Sequence, residues 1–325
     1  MAAGSDRDAC ASRGWSEPSR SFGFSKVSLH LRLMFSYDGA VDEDSSDLDI
    51  ETSAMGLRAE LSLRGLRFAA AKGLPHERTD GNTPGIIFRC GEEGRHGNFH
   101  PLVYEAIVSN GEWMRRLGKV HTASKRMRAR ADWQWKELDC ANSSDALLMN
   151  VFCYPGIVGS RQLRALLGID DVSVPEFGFK PRTPLCGGKR DNTEIDMRVG
   201  DLLLEAKLTE SGFQSARPEL IARYQDVDAA FNVAELPMHD GRYVGYQLVR
   251  GALAAYANGG RFCVCCDARR PVLIEMWYRV LRAVRPAELR CRLKLLTWQE
   301  LAAVVPCDLQ KFLTEKYGIS ASGAL

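Results

Sequence analysis

The sequence predicts an α/β layered domain, in which helices cover a mixed central sheet, and three observations support this fold class. Short apolar stretches typical of buried strands alternate with longer stretches of helical periodicity. Residues that favour turns and helix caps separate these stretches. Between residues 143 and 267 the predicted order is helix, candidate strand, strand, strand, helix, strand. Such alternation is typical of a sheet with helices packed on it.

The chain is long enough, at 325 residues, for one large or two medium domains with a buried core. Residues 1–54 are rich in Ser, Asp, Gly and Arg and lack a long apolar pattern, so we expect a disordered tail. An over-extended start, with Met55 as the true initiator, is an open alternative. Residues 55–325 are expected to form a single domain, structured from about residue 96 and with its core at about 140–300.

The composition indicates an ordinary globular protein of the cytoplasm. The net charge of +2 is too small to indicate nucleic-acid binding, so a polyanion site has to be a local patch. Ten cysteines at irregular spacing, without a secretion signal, favour the reducing cytosol over a disulfide framework. Cys90, His96 and His100 offer three zinc ligands, but no fourth ligand lies at a familiar spacing. No apolar run approaches the ~18 residues of a membrane span, so no membrane partner is expected.

The stretches before residue 140 are predicted to be helical. Residues 100–120 have helical spacing that Asn110-Gly111 interrupts, and residues 121–138 are a second predicted helix with a basic patch and two tryptophans. The basic patch consists of Lys125, Arg126, Arg128 and Arg130. Cations at this density neutralise phosphates, so the patch is a candidate contact with a nucleic-acid backbone. A solvated helix face is the alternative.

A third helical stretch, residues 143–153, is apolar and has Ser143 or Ser144 as its N-cap. Ser160 opens a further short helix. Residues 171–192 contain several Pro and Gly, and are expected to be mostly loop with one candidate strand.

Residues 193–210, TEIDMRVGDLLLEAKLTE, are predicted to form a β-hairpin. A two-residue turn with Gly first is the type II′ preference, which Gly200-Asp201 satisfies. This turn determines the register, and side chains alternate along each strand. Four charged residues are thereby placed on one face, as the opposed pairs Asp196–Glu205 and Glu194–Lys207.

The two carboxylates of the hairpin, Asp196 and Glu205, would repel each other across a regular ladder, where opposed Cβ atoms lie ~5 Å apart. A divalent cation between them removes the conflict, and Mg²⁺ prefers one or two carboxylates completed by waters and substrate phosphate. Lys207 projects to the same side, where it could hold a water or a phosphoryl oxygen. The alternative is a surface hairpin with an ordinary Glu194–Lys207 pair on its wet face. Leu203 lies on that face too, which favours a buried strand whose charges need partners or a metal.

Helices and strands alternate again after the hairpin. Residues 217–231 and 242–257 have helical periodicity, and residues 261–266 are a short buried strand. The remaining predicted elements are a helix over 270–284 with Pro271 in its first turn, a strand over 291–298, a helix begun by the capping box of Thr297 and Glu300, and a last helix capped by Asp308 and ended by Gly318.

The pattern of Asp196, eight residues, and then Glu205-Ala206-Lys207 resembles the PD-(D/E)XK nuclease superfamily, whose members have a restriction-endonuclease-like fold. The predicted order of helices and strands also matches the core of that superfamily. The segments SSDALLMNVF, LEAKLTE and YQLVR are similar to a bacterial restriction-endonuclease-like branch. The resemblance covers residues 96 to 315 approximately. Ile195 stands where the superfamily's name has proline, a position that varies among members.

The resemblance implies that Asp196 and Glu205 bind Mg²⁺, for which Mn²⁺ can substitute, together with the carbonyl of Ala206. Lys207 would orient the attacking water and stabilise negative charge on the scissile phosphate, in line with general metal-ion catalysis. Further residues have a suggested supporting role, with a solvated surface as the alternative. They are Tyr246 and Gln247 on the helix after the hairpin, Glu137 and Asp145 before the core, and Glu194 on the hairpin.

The implied function is that of a Mg²⁺-dependent endonuclease that hydrolyses DNA phosphodiester bonds, of the restriction type used in bacterial defence. A repair or single-strand nuclease of the same superfamily and a catalytically inactive nucleic-acid-binding protein are the alternatives. The intact Asp196, Glu205 and Lys207 argue against the inactive protein. DNA is the expected partner, and a homodimer is an open alternative to a monomer.

Replacing the whole basic patch by alanine should weaken binding to all duplex sequences about equally. Each phosphate contact that is lost no longer releases counterions, so the slope of log affinity against log salt flattens by ~0.9 per contact. Fluorescence anisotropy with a short duplex over a salt series, in Ca²⁺ to prevent cutting, measures this slope. An unchanged slope would show that the patch does not touch the DNA backbone.

Overall fold

The computed structural model describes residues 43–79, 85–91, 94–120, 136–170 and 172–321, with side chains from residue 54 onward. By its internal contacts the chain divides into two units, Met1–Ser46 and Asp47–Leu325. The second unit contains the sheets and the site residues. The basic patch predicted over residues 125–130 lies outside the described residues, as do residues 1–42.

Helices and strands alternate along the described chain. The α-helices are α1 (Glu43–Lys72), α2 (Pro101–Ser109), α3 (Gly111–Arg116), α4 (Ser144–Phe152), α5 (Arg161–Leu167), α6 (Pro218–Ile221), α7 (Val227–Ala230), α8 (Tyr246–Ala257), α9 (Pro271–Arg282), α10 (Ala287–Cys291), α11 (Trp298–Ala302) and α12 (Cys307–Tyr317). The strands are β1 (His76–Arg78), β2 (Ile86–Phe88), β3 (Glu176–Phe179), β4 (Thr183–Pro184), β5 (Arg190–Asp191), β6 (Ile195–Val199), β7 (Leu202–Ala206), β8 (Ser215–Ala216), β9 (Met238–His239), β10 (Arg242–Val244), β11 (Arg261–Cys266) and β12 (Leu293–Thr297). Short 3-10 helices cover Glu137–Asp139, Ile157–Gly159, Cys186–Gly188 and Val233–Glu235.

The central sheet has five strands in the order β12-β11-β7-β6-β3. β12, β11 and β7 are parallel, whereas β7, β6 and β3 are antiparallel. The mixed sheet predicted from the sequence is therefore confirmed. The predicted order of helix, strand, strand, strand, helix and strand is also present, as α4, β3, β6, β7, α8 and β11.

Two apolar clusters cover the two faces of the sheet. One joins Met197 and Leu204 of the hairpin to Phe152 of α4. The other joins Leu203 to Leu253 of α8. Because each face is covered, the buried carboxylate of Glu205 on β7 has to find its partners within the protein.

The structured part of the chain begins earlier than the sequence predicts. Helix α1 includes residues 43–54 of the segment assigned to a disordered tail. Its buried Leu57 and Leu61 pack in the core, while the rest of the helix has a weak apolar pattern. Propensity alone does not reveal such a helix, because packing on the domain stabilises it.

Three other element predictions are corrected by the structure. Residues 217–231 form the short helices α6 and α7 rather than one helix. Residues 242–244 are strand β10, and Gly245 at φ 78° separates it from α8. Asp308 lies in the first turn of α12, and Pro306 occupies the N-cap. The predicted caps at Ser143, Ser160, Thr297 with Glu300, and Gly318 are confirmed.

Gly251 of α8 should tolerate no side chain, because an added Cβ would lie 2.3 Å from the buried ring of Phe262. Gly251→Ala should therefore lower the free energy of unfolding by about 1–3 kcal/mol. Gly56 of α1 is the matched control, since its Cβ would meet nothing within 4 Å. Gly56→Ala should raise stability by about 0.5–1 kcal/mol. Urea unfolding measures the change in the free energy of unfolding, which should be negative for Gly251→Ala and positive for Gly56→Ala. Equal changes in the two variants would contradict the close packing of α8 on β11.

Candidate active site

The β6–β7 hairpin has the turn and the register that the sequence predicts. The residues paired across its two strands are Val199–Leu202, Arg198–Leu203 and Met197–Leu204. Gly200 has φ +58°, the left-handed value that a type II′ turn requires at this position.

Regular pairing of the hairpin ends where its carboxylates begin. In a continued ladder the Ala206 amide would donate to the Ile195 carbonyl. Instead it donates to Oδ2 of Asp196 over 2.8 Å. The backbone ladder of β6 and β7 therefore does not include the predicted cross-strand pairs of Asp196 with Glu205 and of Glu194 with Lys207. The side chain of Asp196 takes the place of the backbone acceptor.

Glu205 and Lys207 form a buried ion pair at the end of β7. Their exposed fractions are 2% and 5%, and Nζ of Lys207 lies 2.7 Å from Oε1 of Glu205. Burial lowers the pKa of Lys207, but the charges of Glu205, Glu210 and Asp196 outweigh it and raise this pKa above its usual value. Lys207 is therefore a permanent cation in the site. Trp298 holds its backbone by donating from Nε1 to the Lys207 carbonyl over 2.8 Å.

Helix α8 supplies two further partners of Glu205. Gln247 donates from Nε2 to Oε1 of Glu205, which places this predicted supporting residue at the site. Nη2 of Arg250 lies 3.8 Å from Oε2 of Glu205 and donates to the Glu194 carbonyl over 3.0 Å. The sequence reasoning missed Arg250, although its spacing of three from Gln247 puts both on one helix face.

Asp196 is the carboxylate of the site whose surroundings disfavour its ionised form. Burial raises its pKa well above the usual value, and the neighbouring charges of Glu205 and Asp145 raise it further. The charge of Lys207 and the Ala206 amide oppose these effects without cancelling them. An additional positive charge would thus stabilise ionised Asp196.

Asp145 of α4 is the acidic residue from the first helices that lies near Asp196. Burial raises its pKa, but Lys119 and Arg116 outweigh burial and lower it. Nζ of Lys119 is 2.6 Å and Nη2 of Arg116 is 3.1 Å from Oδ2 of Asp145. Nη1 of Arg116 also lies 3.1 Å from Glu194, so Glu194 pairs with this arginine. The sequence reasoning missed both cations, because they join the site only through tertiary contacts.

Two of the suggested supporting residues have other surroundings. Glu137 lies in the 3-10 helix Glu137–Asp139, where its charge helps to raise the pKa of buried Cys140. The hydroxyl of Tyr246 is 3.0 Å from that of Tyr224, which donates to Asp191. Tyr246 thus stands beside Gln247 in the chain but contacts a different polar group.

The donor set of the hairpin fits a small oxygen-preferring cation. Asp196 and Glu205 supply two carboxylates in mutual repulsion, and one or two carboxylates are what Mg²⁺ takes from a protein. Within the described residues no group of three or more His, Cys, Asp and Glu side chains is arranged to hold a metal ion. His96 and His100 turn instead to separate carboxylates, those of Asp139 and Asp308.

The family described as "Restriction Endonuclease associating with ARP" (REase-ARP) matches residues 76–318, which include the sheet and every residue of the hairpin site. The chain belongs to this family. Its mixed sheet with flanking helices is a restriction-endonuclease-like fold. Searches of curated proteins and of solved structures gave no match. Among the described residues of this REase-ARP member, no helix combines the length and apolar character that a membrane crossing needs.

Asp196→Asn should stabilise the protein at neutral pH, because it removes the repelled charge and keeps an oxygen for the Ala206 amide. A carboxylate with a raised pKa contributes most stability below the unfolded value of ~3.9 and loses it as the pH rises through the folded pKa. The variant should therefore exceed the wild type by about 1 kcal/mol at pH 7 and by less at pH 5, as measured by urea unfolding. Asp201→Asn, in the exposed turn of the same hairpin, should show no such gain. If Asp196→Asn is less stable than the wild type at pH 7, the inferred repulsion between Asp196 and Glu205 is contradicted.

Proposed function

We propose that this REase-ARP protein is a Mg²⁺-dependent endonuclease of the PD-(D/E)XK superfamily that hydrolyses DNA phosphodiester bonds in cytoplasmic restriction or defence. The observation that supports this most is the convergence of Asp196, Glu205 and Lys207 where the hairpin pairing ends. The same three residues form the Asp…Glu-x-Lys pattern, and the family is described as one of restriction endonucleases.

Each site residue has a role that its surroundings support. Asp196, Glu205 and the Ala206 carbonyl would hold Mg²⁺, or Mn²⁺ in its place. The bound ion supplies Lewis-acid stabilisation of charge on the phosphate. Lys207, kept protonated by its neighbours, orients the attacking water and offsets the negative charge that develops on the scissile phosphate.

The partners of Glu205 and Asp145 are proposed to position the ligands. Gln247 and Arg250 hold the Glu205 carboxylate from α8. Arg116 and Lys119 neutralise Asp145, which limits the negative charge that Asp196 experiences. An active enzyme accounts for this arrangement better than a silent binding protein, because burying the charges without a ligand costs stability.

Cleavage of supercoiled plasmid by the purified protein tests the proposal. Wild type should nick or linearise the plasmid in Mg²⁺ and leave it intact in chelator. Asp196→Ala and Lys207→Met should each lower the rate by at least ~10²–10³-fold, because each removes charge stabilisation in the transition state. Arg290→Ala, which alters an exposed arginine of α10 at the opposite edge of the sheet, where β12 begins, should cut at the wild-type rate.

Folding has to be checked beside cleavage, since Lys207→Met leaves Glu205 buried without its closest cation. Circular dichroism and thermal melting of each variant separate lost chemistry from lost structure. Undiminished cutting in chelator, or by folded Asp196→Ala, would refute the metal mechanism.

A further inference from the structure

Arg270 is a buried cation that the proposed chemistry leaves unused. It follows β11 and occupies the N-cap of α9, and its exposed fraction is 0%. No acceptor among the described residues takes a hydrogen bond from its Nε, Nη1 or Nη2. Burying a guanidinium without partners is costly, and native proteins seldom do so without a ligand or a paired charge.

The first nearby carboxylate, Asp267, is already occupied. Its Oδ2 accepts from Nη2 of Arg269 over 2.6 Å, and its Oδ1 accepts from Nε of Arg269 and from Nε2 of Gln299. Arg269 and Gln299 thereby occupy both oxygens of Asp267. Arg270 is attracted by the charge of Asp267 but makes no hydrogen bond to it.

The second nearby carboxylate, Glu210, is also held elsewhere. Its Oε1 accepts from the Ser144 hydroxyl over 2.7 Å, and its Oε2 accepts from the Leu208 amide over 2.6 Å. A second guanidinium, that of exposed Arg58, is close enough to Arg270 to act on it electrostatically. Arg58 itself donates to the Thr209 carbonyl over 3.2 Å. Two neighbouring guanidiniums with few free acceptors favour an anion with several oxygens.

The arginine pair lies at the same edge of the sheet as the candidate active site. β7 and β11 are parallel, and the Lys207 amide donates to the Cys265 carbonyl over 2.8 Å. Both strands therefore end there, β7 just before Lys207 and β11 just before Asp267. The charge of Glu210 acts on Lys207 and on Arg270 alike, which places Glu210 near both cations.

We propose that Arg270 and Arg58 form a subsite for a phosphate group beside Lys207. On the basis of the proposed nuclease function, the group is a backbone phosphate of the nucleic acid that flanks the one being cleaved. Free phosphate or a mononucleotide offers the same chemistry. Because Arg270 is covered in this structure, the phosphate reaches it when the covering side chains move, and the exposed Arg58 makes the first contact.

Thermal melting in inorganic phosphate, compared with chloride at equal ionic strength, tests the subsite without any nuclease assay. Phosphate should raise the melting temperature of the wild type, and this rise should be lost in Arg270→Met and reduced in Arg58→Ala. In chloride, Arg270→Met should be at least as stable as wild type, because an apolar side chain replaces an unbonded charge. Arg282→Met, at the exposed far end of the same helix, should keep the full phosphate effect.

Fluorescence anisotropy with a short duplex in Ca²⁺ then identifies the source of the phosphate. Arg270→Met and Arg58→Ala should each weaken binding about tenfold and flatten the salt slope by ~0.9, whereas Arg282→Met should change neither. Loss of the phosphate effect with unchanged DNA binding would support the subsite and assign it to free phosphate or a mononucleotide.

The two proposals fail separately. If the wild type neither binds nor cuts DNA, the proposed nuclease function is refuted. The melting experiment in phosphate would still show whether the phosphate subsite exists. If phosphate does not stabilise the wild type and both arginine variants bind DNA normally, the subsite is overturned. A marked loss of stability of Arg270→Met in chloride, with an intact phosphate effect in Arg58→Ala, would likewise overturn it, since Arg270 would then serve the fold alone.

Discussion

Burial of the Glu205–Lys207 ion pair between two covered faces of the sheet is the constraint on which the surrounding structure depends. A buried carboxylate needs partners for both of its oxygens, or its burial costs several kcal/mol. Helix α8 meets this need with Gln247 and Arg250, and its close approach requires Gly251 against Phe262. The packing of an entire helix is thus linked to one charge.

The opened end of the hairpin lowers stability, and the proposed nuclease function gives a reason for it. A regular ladder with apolar residues at the two carboxylate positions would keep every backbone bond and bury no repelled charge. In this chain the Ala206 amide instead donates to the side chain of Asp196, and that carboxylate lies close enough to Glu205 to be repelled by it. Strain of this kind tends to lie where a ligand or a reaction uses it. The match to the REase-ARP family, over residues 76–318, includes this hairpin.

Much of the fold and the centre of the site follow from short-range rules. A Gly-first turn and the two-residue alternation of side chains were enough to predict the hairpin register, and helix caps such as Ser143 and Thr297 are local signals as well. The pairing of Arg116 and Lys119 with Asp145 joins the end of α3 and the segment after it to α4, and their separation along the chain carries no periodic signal. Helix α1 escaped prediction for a related reason, since its stability depends on packing rather than on propensity.

The topology of the sheet explains why the proposed catalytic and phosphate-binding groups meet at one edge. β6 starts at the edge where β7 ends, because the two strands are antiparallel, so Asp196 and Glu205 meet there. β11 runs parallel to β7 and ends at the same edge, and α9 begins a few residues later. Carboxyl ends of parallel strands and the starts of the helices that follow them favour anionic ligands. In the proposed nuclease, a nucleic-acid backbone with one phosphate at Lys207 would extend along the edge where Arg270 lies, and it would contact Arg270 once the side chains that cover this arginine move.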